Sequence, residues 1–515
     1  MNRKKLLFQL TSAQGIAIVC GFLCAMAAHA FALVHNLYNY DGIAQQPSGY
    51  GTGIESGRWF LSLLGDATSF LEINYNLPWV NGVIFLLLLA VAAGFLVKAL
   101  GIRNRGFAAL VGMILAVFPT VTSTMYFRYT AVYYGVGILF AVLAAWVLER
   151  SQFGLLFSAL LTALSLGIYQ AYTPITIGIF VLQLMRLAVE EGITVGRLFR
   201  TGLKDCAALI LGLLFYFVFL KGCLWLYGVS LLDYQGISEM GNISAAELPR
   251  LIYEALYDVV MLPFRSYANL VGMKMIRVLY LALELVTAAL GAAVWLIKIR
   301  KWPVRWMFLA LAAVFPLSVN FIRLMCPNSW IYTTMVYAFA LIPCCTLVLM
   351  ECLMTGENKP CAGRSKAVKA VVLVILLLLV FFYGYEANIG YNALYFANIQ
   401  VENYCNNLIT QIRMTHGFEP DKKWAFVGKI DDPLLYCYWQ YETRYGGSEF
   451  TQALLNRESL EYWIQCFTGY SPEFATEEEK RALEMTPEYE AMPCWPSQGS
   501  IGIINDMVVV KFSDS

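Results

Sequence analysis

The sequence predicts an all-α polytopic membrane protein of about eleven transmembrane helices, followed by a small α/β domain. Three observations carry that prediction. Of the 515 residues 59% are hydrophobic and only 14% charged, and the mean hydropathy is +0.61, values outside the range of soluble globular chains. Apolar runs long enough to cross a bilayer recur from residue 14 to residue 385, and beyond Asn388 the hydrophobic density falls. Lysine and arginine cluster in alternate connections between those runs. The resulting division is a membrane domain over 1–387, with an outer-face loop at 36–77, and an extracytoplasmic α/β domain over 388–515. A net charge of +1 shows no bias toward nucleic acid. The 13 cysteines form no Cys-x-x-Cys pair, and His29, His35 and His416 fit no metal-ligand spacing, so no metal site is read.

Met1 to Lys5 carries a basic cluster, and the apolar run after it continues to about Val34, which makes it an uncleaved first span rather than a signal peptide. Further runs fall near 78–97, 107–121, 130–148, 153–169, 173–189, 206–227, 275–297, 306–321, 330–350 and 367–385. Several are short enough to need bilayer thinning or protein cover. The basic connections hold Lys98, Arg103 and Arg105; Arg150; Arg186, Arg197, Arg200 and Lys204; Lys298, Arg300, Lys301 and Arg305; and Lys359, Arg364, Lys366 and Lys369. The positive-inside rule places these, and the N-terminus, in the cytoplasm, and the 36–77 loop and the tail outside.

The 36–77 loop is where chemistry is expected. Asp41 follows Val34 by about seven residues, which is headgroup depth. From Glu55 onward, Trp59, Phe60, Leu61, Leu63 and Leu64 alternate with Ser62, Gly65 and Asp66 at helical spacing, which predicts a short interfacial helix anchored by Trp59. Lys221 and Glu284 lie inside spans, where ionisable groups are costly and mark function or a structural pair. Arg128, Arg265 and Arg323 sit at outer helix turns against the topogenic bias, and a guanidinium fork suits phosphate oxygens.

In the tail, a polar helix is predicted to about Met414, a strand over Trp424 to Val427 ending on Gly428, and helices around Thr451 to Cys466 and Glu477 to Met485. Ile501 to Ile504 and Met507 to Phe512 flank Asn505-Asp506 and read as a β-hairpin. Cys405, Cys437, Cys466 and Cys494 form an even set in an oxidising compartment, which allows one or two disulfides. No internal repeat is evident, which counts against repeat-built transporters.

Asp41 with Glu55-Ser56-Gly57-Arg58-Trp59, the segment Leu164 to Tyr172 containing Tyr169-Gln170, Ala425 to Gly428, and Met492-Pro-Cys-Trp-Pro496 together resemble the Gtr type II glucosyltransferase family of bacterial membrane enzymes. The resemblance implies a C-type glycosyltransferase fold in the bacterial cytoplasmic membrane. It also implies a sugar, glucose in the family, moved from a polyprenyl-phosphate donor to a cell-surface glycan on the outer face, with a donor synthase and a flippase upstream. Catalysis is implied at an acid of the first outer loop. The family often shows adjacent acids there, whereas Asp41 is followed by Gly42. Asp41 is the candidate general base with Glu55 as assistant or rival; Arg58, Arg128, Lys221 and Arg323 are candidate phosphate partners, and Tyr169 and Gln170 candidate sugar ligands. Side-chain cations can neutralise a lipid phosphate, so this chemistry does not call for a divalent metal. The alternative reading is a lipid-linked saccharide flippase or transporter, which would line a central cavity with charges from several spans. A third reading is a receptor-like protein whose tail binds a surface ligand.

The expected topology is testable by impermeant thiol labelling of single cysteines placed at positions 195 and 420. In intact cells position 420 should label and position 195 should be protected; the reverse pattern would overturn the orientation.

Overall fold

The computed structural model describes residues 10–232, 244–327, 329–354, 362–430, 454–455 and 457–514. The N-terminal basic cluster, Lys359, Asn328 and Cys437 lie outside these residues. The chain divides into two units, one made of 1–34 and 49–388, the other of 35–48 and 389–515.

Among the described residues of the first unit and its continuation, nine helices are long and apolar enough to cross a membrane: Ser12–Val34, Pro78–Leu100, Arg105–Tyr126, Arg128–Val147, Val195–Tyr227, Lys274–Lys298, Trp302–Val319, Tyr337–Met354 and Lys366–Met414. The sequence led to an expectation of about eleven. The difference lies at 153–169 and 173–189, which form helices Gly154–Ile168 and Thr173–Leu187 of 15 residues each. Each rises about 22 Å, against a hydrocarbon core of about 30 Å. Between them the chain leaves the helix at Tyr169, whose backbone is extended (φ −156°, ψ 114°), and makes one 3-10 turn, Gln170–Tyr172. The Arg105–Tyr126 helix is broken at Phe118 (ψ 141°), as expected of a residue before proline.

Helix association without a hydrophobic driving force depends on close backbone approach. The crossing of Ser12–Val34 with Arg105–Val117 shows this most clearly. A Cβ at Gly112 would lie 2.2 Å from the Ala17 carbonyl oxygen, and one at Gly21 would lie 3.0 Å from that of Gly112. Further along the same pair His29, fully buried, donates from Nε2 to the Ala116 carbonyl at 2.9 Å, so the histidine is a helix-to-helix tie.

The predicted interfacial helix is present as Trp59–Phe70. Its anchor assignment needs correction: Trp59 is buried among Ile54, Ala163, Leu166, Tyr216 and Leu220 rather than set in the bilayer surface. Gly167 makes room for the indole, since a Cβ there would meet the ring at 2.6 Å. Trp59 therefore fastens the loop to its neighbouring helices. Lys221 is exposed on Val195–Tyr227, and no ion pair joins it to Glu284 among the described residues.

In the second unit, the expected polar helix is the end of one continuous helix, Ala362–Met414. A three-stranded sheet has the order β1-β3-β2, with β1 Lys423–Val427, β2 Ile501–Ile504 and β3 Met507–Lys511. The hairpin of β2 and β3 is antiparallel and turns on Asn505 and Asp506 at φ 50° and 63°, while β1 joins β3 in parallel. The expected helix near Thr451 to Cys466 is Arg457–Thr468, and Glu477–Glu484 opens with a capping box between Thr476 and Glu479. Of the four tail cysteines considered for pairing, Cys405, Cys466 and Cys494 are free, Cys405 being buried and Cys466 exposed.

The Gly21–Gly112 crossing generates a prediction. Gly112→Ala places a methyl group on a backbone carbonyl that no rotamer change can move, so it should destabilise the protein by about 1–3 kcal/mol. Thermal unfolding in detergent checks this, with Gly222→Ala, where nothing lies within 4 Å, as the neutral control.

Candidate functional site

The best-defined polar constellation in the helical unit forms around Arg58. The chain reaches it through a tight turn: the Ser56 hydroxyl donates to the Gly53 carbonyl at 2.8 Å, Gly57 adopts φ +75°, and its N–H donates to the Ile54 carbonyl at 2.8 Å. A left-handed residue is required to end the 3-10 turn Ile54–Ser56 there, which is what the glycine of Gly57-Arg58-Trp59 supplies.

The turn is held from two other helices. Gln170 donates from Nε2 to the Ser56 carbonyl at 3.1 Å and to the Tyr216 hydroxyl at 3.2 Å; Tyr216 in turn donates its hydroxyl to the Gly57 carbonyl at 3.0 Å. Ser56, Gln170 and Tyr216 are all buried. Both amide protons of Gln170 are thus directed at protein, which makes it a residue that positions the Arg58 turn.

Arg58 itself is half-buried at the start of the loop helix. Its Nη1 donates to Thr52 Oγ1 at 3.0 Å and to the Tyr134 hydroxyl at 3.2 Å, and its guanidinium lies 4.9 Å over the Tyr169 ring. Tyr134 and Tyr169 stack at 4.8 Å and 11°, and Tyr172 meets both edge-on at 5.9 and 5.2 Å. Cation–π contact and stacking together orient the guanidinium. The Tyr169 hydroxyl is 3.4 Å from Thr334 Oγ1. Arg58, Tyr169 and Gln170 of the sequence-derived candidates are therefore brought together, and Glu55 precedes them in the same turn. The Glu55 side chain is exposed, its carbonyl accepts from the Leu232 N–H at 2.9 Å, and it enters none of the ion pairs among the described residues.

The other cations lie elsewhere in the unit. Arg128 is buried and donates from Nε to Asn76 Oδ1 at 3.0 Å, at the far end of the loop. Arg323 pairs with Asp258 at 3.1 Å and lies 5.4 Å over the Tyr267 ring, whose hydroxyl donates to Asn320. Asp258 is largely covered, and desolvation raises its pKa above the ordinary carboxylate value despite Arg323. Lys221 stands exposed on its helix.

Asp41 lies in the second unit. It is in the first turn of the short helix Tyr40–Ala44, whose cap Asn39 accepts from the Gly42 N–H at 2.6 Å. Asn398 clamps the preceding residue, accepting from the Tyr38 N–H at 2.8 Å and donating to its carbonyl at 2.9 Å. The Tyr38 ring meets Trp463 and Phe467 edge-on at 6.1 and 5.6 Å. Asp41 is itself exposed, yet the packed chain around it desolvates its carboxyl and raises the pKa above the usual value.

Sequence reading missed Tyr134 and Tyr216, each more than 70 positions from Arg58 and carrying no local signal, and it missed Asp66 as a staple. The Asp66 carboxylate accepts from the Tyr50 hydroxyl at 3.3 Å and the Tyr227 hydroxyl at 2.8 Å, tying the loop helix to Val195–Tyr227. Among the described residues no group of three His, Cys, Asp or Glu side chains is placed to hold a metal ion.

A family model described as Glucosyl transferase GtrII matches residues 30–343. That is more than half of the chain, and the stretch contains every candidate residue named above from Asp41 to Arg323. No curated protein and no solved structure matches the chain.

The hold on the Gly57 turn is testable. Tyr216→Phe removes a hydroxyl that both donates and accepts, and leaves the buried Gly57 carbonyl short of a partner, at a cost of about 1–3 kcal/mol. Hydrogen exchange at the amides of Gly57 and Arg58 should accelerate, with exchange in Ser12–Val34 unchanged; unaltered exchange at the turn would mean that the hydroxyl does not hold it.

Proposed function

The chain belongs to the glucosyl transferase GtrII family, and from that premise we propose that it transfers a sugar from a polyprenyl-phosphate donor to a cell-surface glycan on the outer face of the bacterial cytoplasmic membrane. The family membership and the apolar helices make it a membrane glucosyltransferase. The lipid carrier, the glycan acceptor, the outer-face orientation and the roles of individual residues are the proposal.

The observation that carries it is the seating of Arg58. A guanidinium held by Thr52 and Tyr134 and backed by the Tyr169 ring is oriented before any ligand arrives. Such preorganised donors are what a developing phosphate charge requires. In the proposed reaction an acceptor hydroxyl oxygen forms a bond to the anomeric carbon. The bond from that carbon to the phosphate oxygen breaks, and its electron pair leaves with the polyprenyl phosphate. Asp41 takes the hydroxyl proton, and Arg58 bears on the leaving phosphate. Arg128 and Gln170 act through the loop they hold, while Tyr169 offers its ring and hydroxyl to the sugar. A resident metal is not part of this mechanism.

Transfer from a defined polyprenyl-phosphate glucose to extracted surface glycan tests the reading. Asp41→Asn keeps the shape and removes the base, so transfer should fall by about 10² to 10⁴ while donor binding survives. Glu55→Gln should be milder, and Arg58→Gln should weaken donor binding as well as turnover. A base must be deprotonated to act, so activity should fall as pH drops through the Asp41 pKa. Because desolvation raises that pKa, the acidic limb should sit above the ordinary carboxylate value of about 4. Near-normal transfer by Asp41→Asn would remove it as the base, and loss with Glu55→Gln alone would reverse the two roles.

A further inference from the structure

A polar cavity that contains none of the residues assigned to transfer opens beside Lys298, Arg300 and Lys301. It measures about 500 Å³ and lies among the end of Thr173–Leu187, the following loop to Ile193, and the junction of Lys274–Lys298 with Trp302–Val319. That volume is in the range of small-ligand sites. Arg186, Lys298, Arg300 and Lys301 line it together with Glu190 and Glu191.

Its walls are fixed by side chains that bind backbone. Lys301 donates from Nζ to the Ile193 carbonyl at 2.9 Å and the Gly192 carbonyl at 3.3 Å, which holds the loop in place. Arg305 donates to the carbonyls of Ile299 at 2.7 Å and Leu296 at 3.1 Å, which fixes the opposite junction. Lys298 ends a π-helical turn, Val294–Lys298, a widened geometry that recurs at functional sites. Arg186 is seated because Gly101, at φ +66°, has no side chain: a Cβ there would lie 2.0 Å from its Nη1. Arg186 and Lys298 are half-buried and Arg300 and Lys301 exposed, so the recess is cation-rich and its walls are held through backbone contacts.

The same junction is apolar outside the recess. Leu296, Trp302 and Trp306 are each more than half exposed, and the two tryptophan rings meet edge-on at 5.5 Å. Exposed tryptophans at the end of apolar spans mark the depth of lipid headgroups. We propose that this cavity binds the phosphate headgroup of an anionic phospholipid, whose acyl chains lie along the exposed apolar surface beside Leu296. Cationic recesses between spans are a recurring way to hold such headgroups.

The test uses the full-length protein in phosphatidylcholine nanodiscs into which phosphatidylglycerol is titrated, with retained lipid read by native mass spectrometry and thermal stability read in parallel. Phosphatidylglycerol should be retained over phosphatidylcholine and should raise the unfolding temperature. Lys298→Gln combined with Arg300→Gln should weaken that retention about tenfold or more, and Lys298→Arg should preserve it. Arg186→Gln should act in the same direction; if its packing against Gly101 prevents folding, the Lys298 variants still decide the matter. Equal retention of the two lipids by the wild type, or wild-type phosphatidylglycerol retention in the double variant, would overturn the assignment. Inorganic phosphate should neither displace phosphatidylglycerol nor stabilise the protein at millimolar concentration. If it does both, the site takes soluble phosphate and the lipid assignment fails.

Discussion

The Arg58 constellation depends on a length mismatch. Of two consecutive helices of 15 residues, Gly154–Ile168 and Thr173–Leu187, the first is preceded by Arg150 and the second carries Arg186 in its last turn. Helices that rise about 22 Å from the same surface turn back before they reach the far side of a core of about 30 Å. The turn between them is buried in protein, as irregular backbone among apolar helices must be unless it lines a cavity. That turn is Tyr169 to Tyr172, and it supplies the ring under Arg58, the amide that holds Ser56, and the edge that meets Tyr134.

Magnitudes say which of these contacts matter most. Aromatic pairing and cation–π contact each contribute about 0.5–2 kcal/mol. A buried polar group left without a partner costs about 1–3 kcal/mol, and the Gln170–Tyr216–Gly57 chain contains several such groups in sequence. The hydrogen-bonded chain therefore fixes where the turn sits, and the rings tune how the guanidinium points. The surroundings of the candidate cations also differ in kind. Arg323 is held by the carboxylate of Asp258, which offsets its charge, and Arg128 is buried against Asn76. The contacts of Arg58 include two hydroxyls and the Tyr169 ring.

What was legible in the sequence was what local pattern encodes. Asn505-Asp506 announced the hairpin because those residues tolerate positive φ, and Gly428 ended its strand at φ 87°. The motifs around Gly57-Arg58-Trp59 and Tyr169-Gln170 pointed to the family that the matched region supports. Contacts between distant segments were not legible. Nothing in the period of Lys423–Val427 says that it pairs in parallel with β3 rather than with its neighbour in sequence. Trp59 has the composition of an interfacial anchor, and the absence of a side chain at Gly167, 108 residues later, leaves the room its buried indole occupies. The two 15-residue helices read as spans because hydropathy measures polarity, whereas crossing a bilayer also requires length.

Asp41 shows how opposing effects settle at one carboxylate. It sits in the first turn of a helix, where the backbone N–H groups favour a negative charge by about 0.3–1 kcal/mol. That alone would lower its pKa. The helix is a single turn, so its dipole is small, and Asn39 already accepts one of the N–H groups that would otherwise face the acid. Desolvation by the surrounding chain acts the other way and is the larger effect, so the pKa is raised. The backbone beneath the acid is meanwhile held at both of Tyr38's polar groups by Asn398. An exposed carboxylate on a fixed backbone, in surroundings that favour its protonated form, suits the base role proposed for Asp41. A fully solvated acid at its ordinary pKa would hold that proton less readily and make the weaker base.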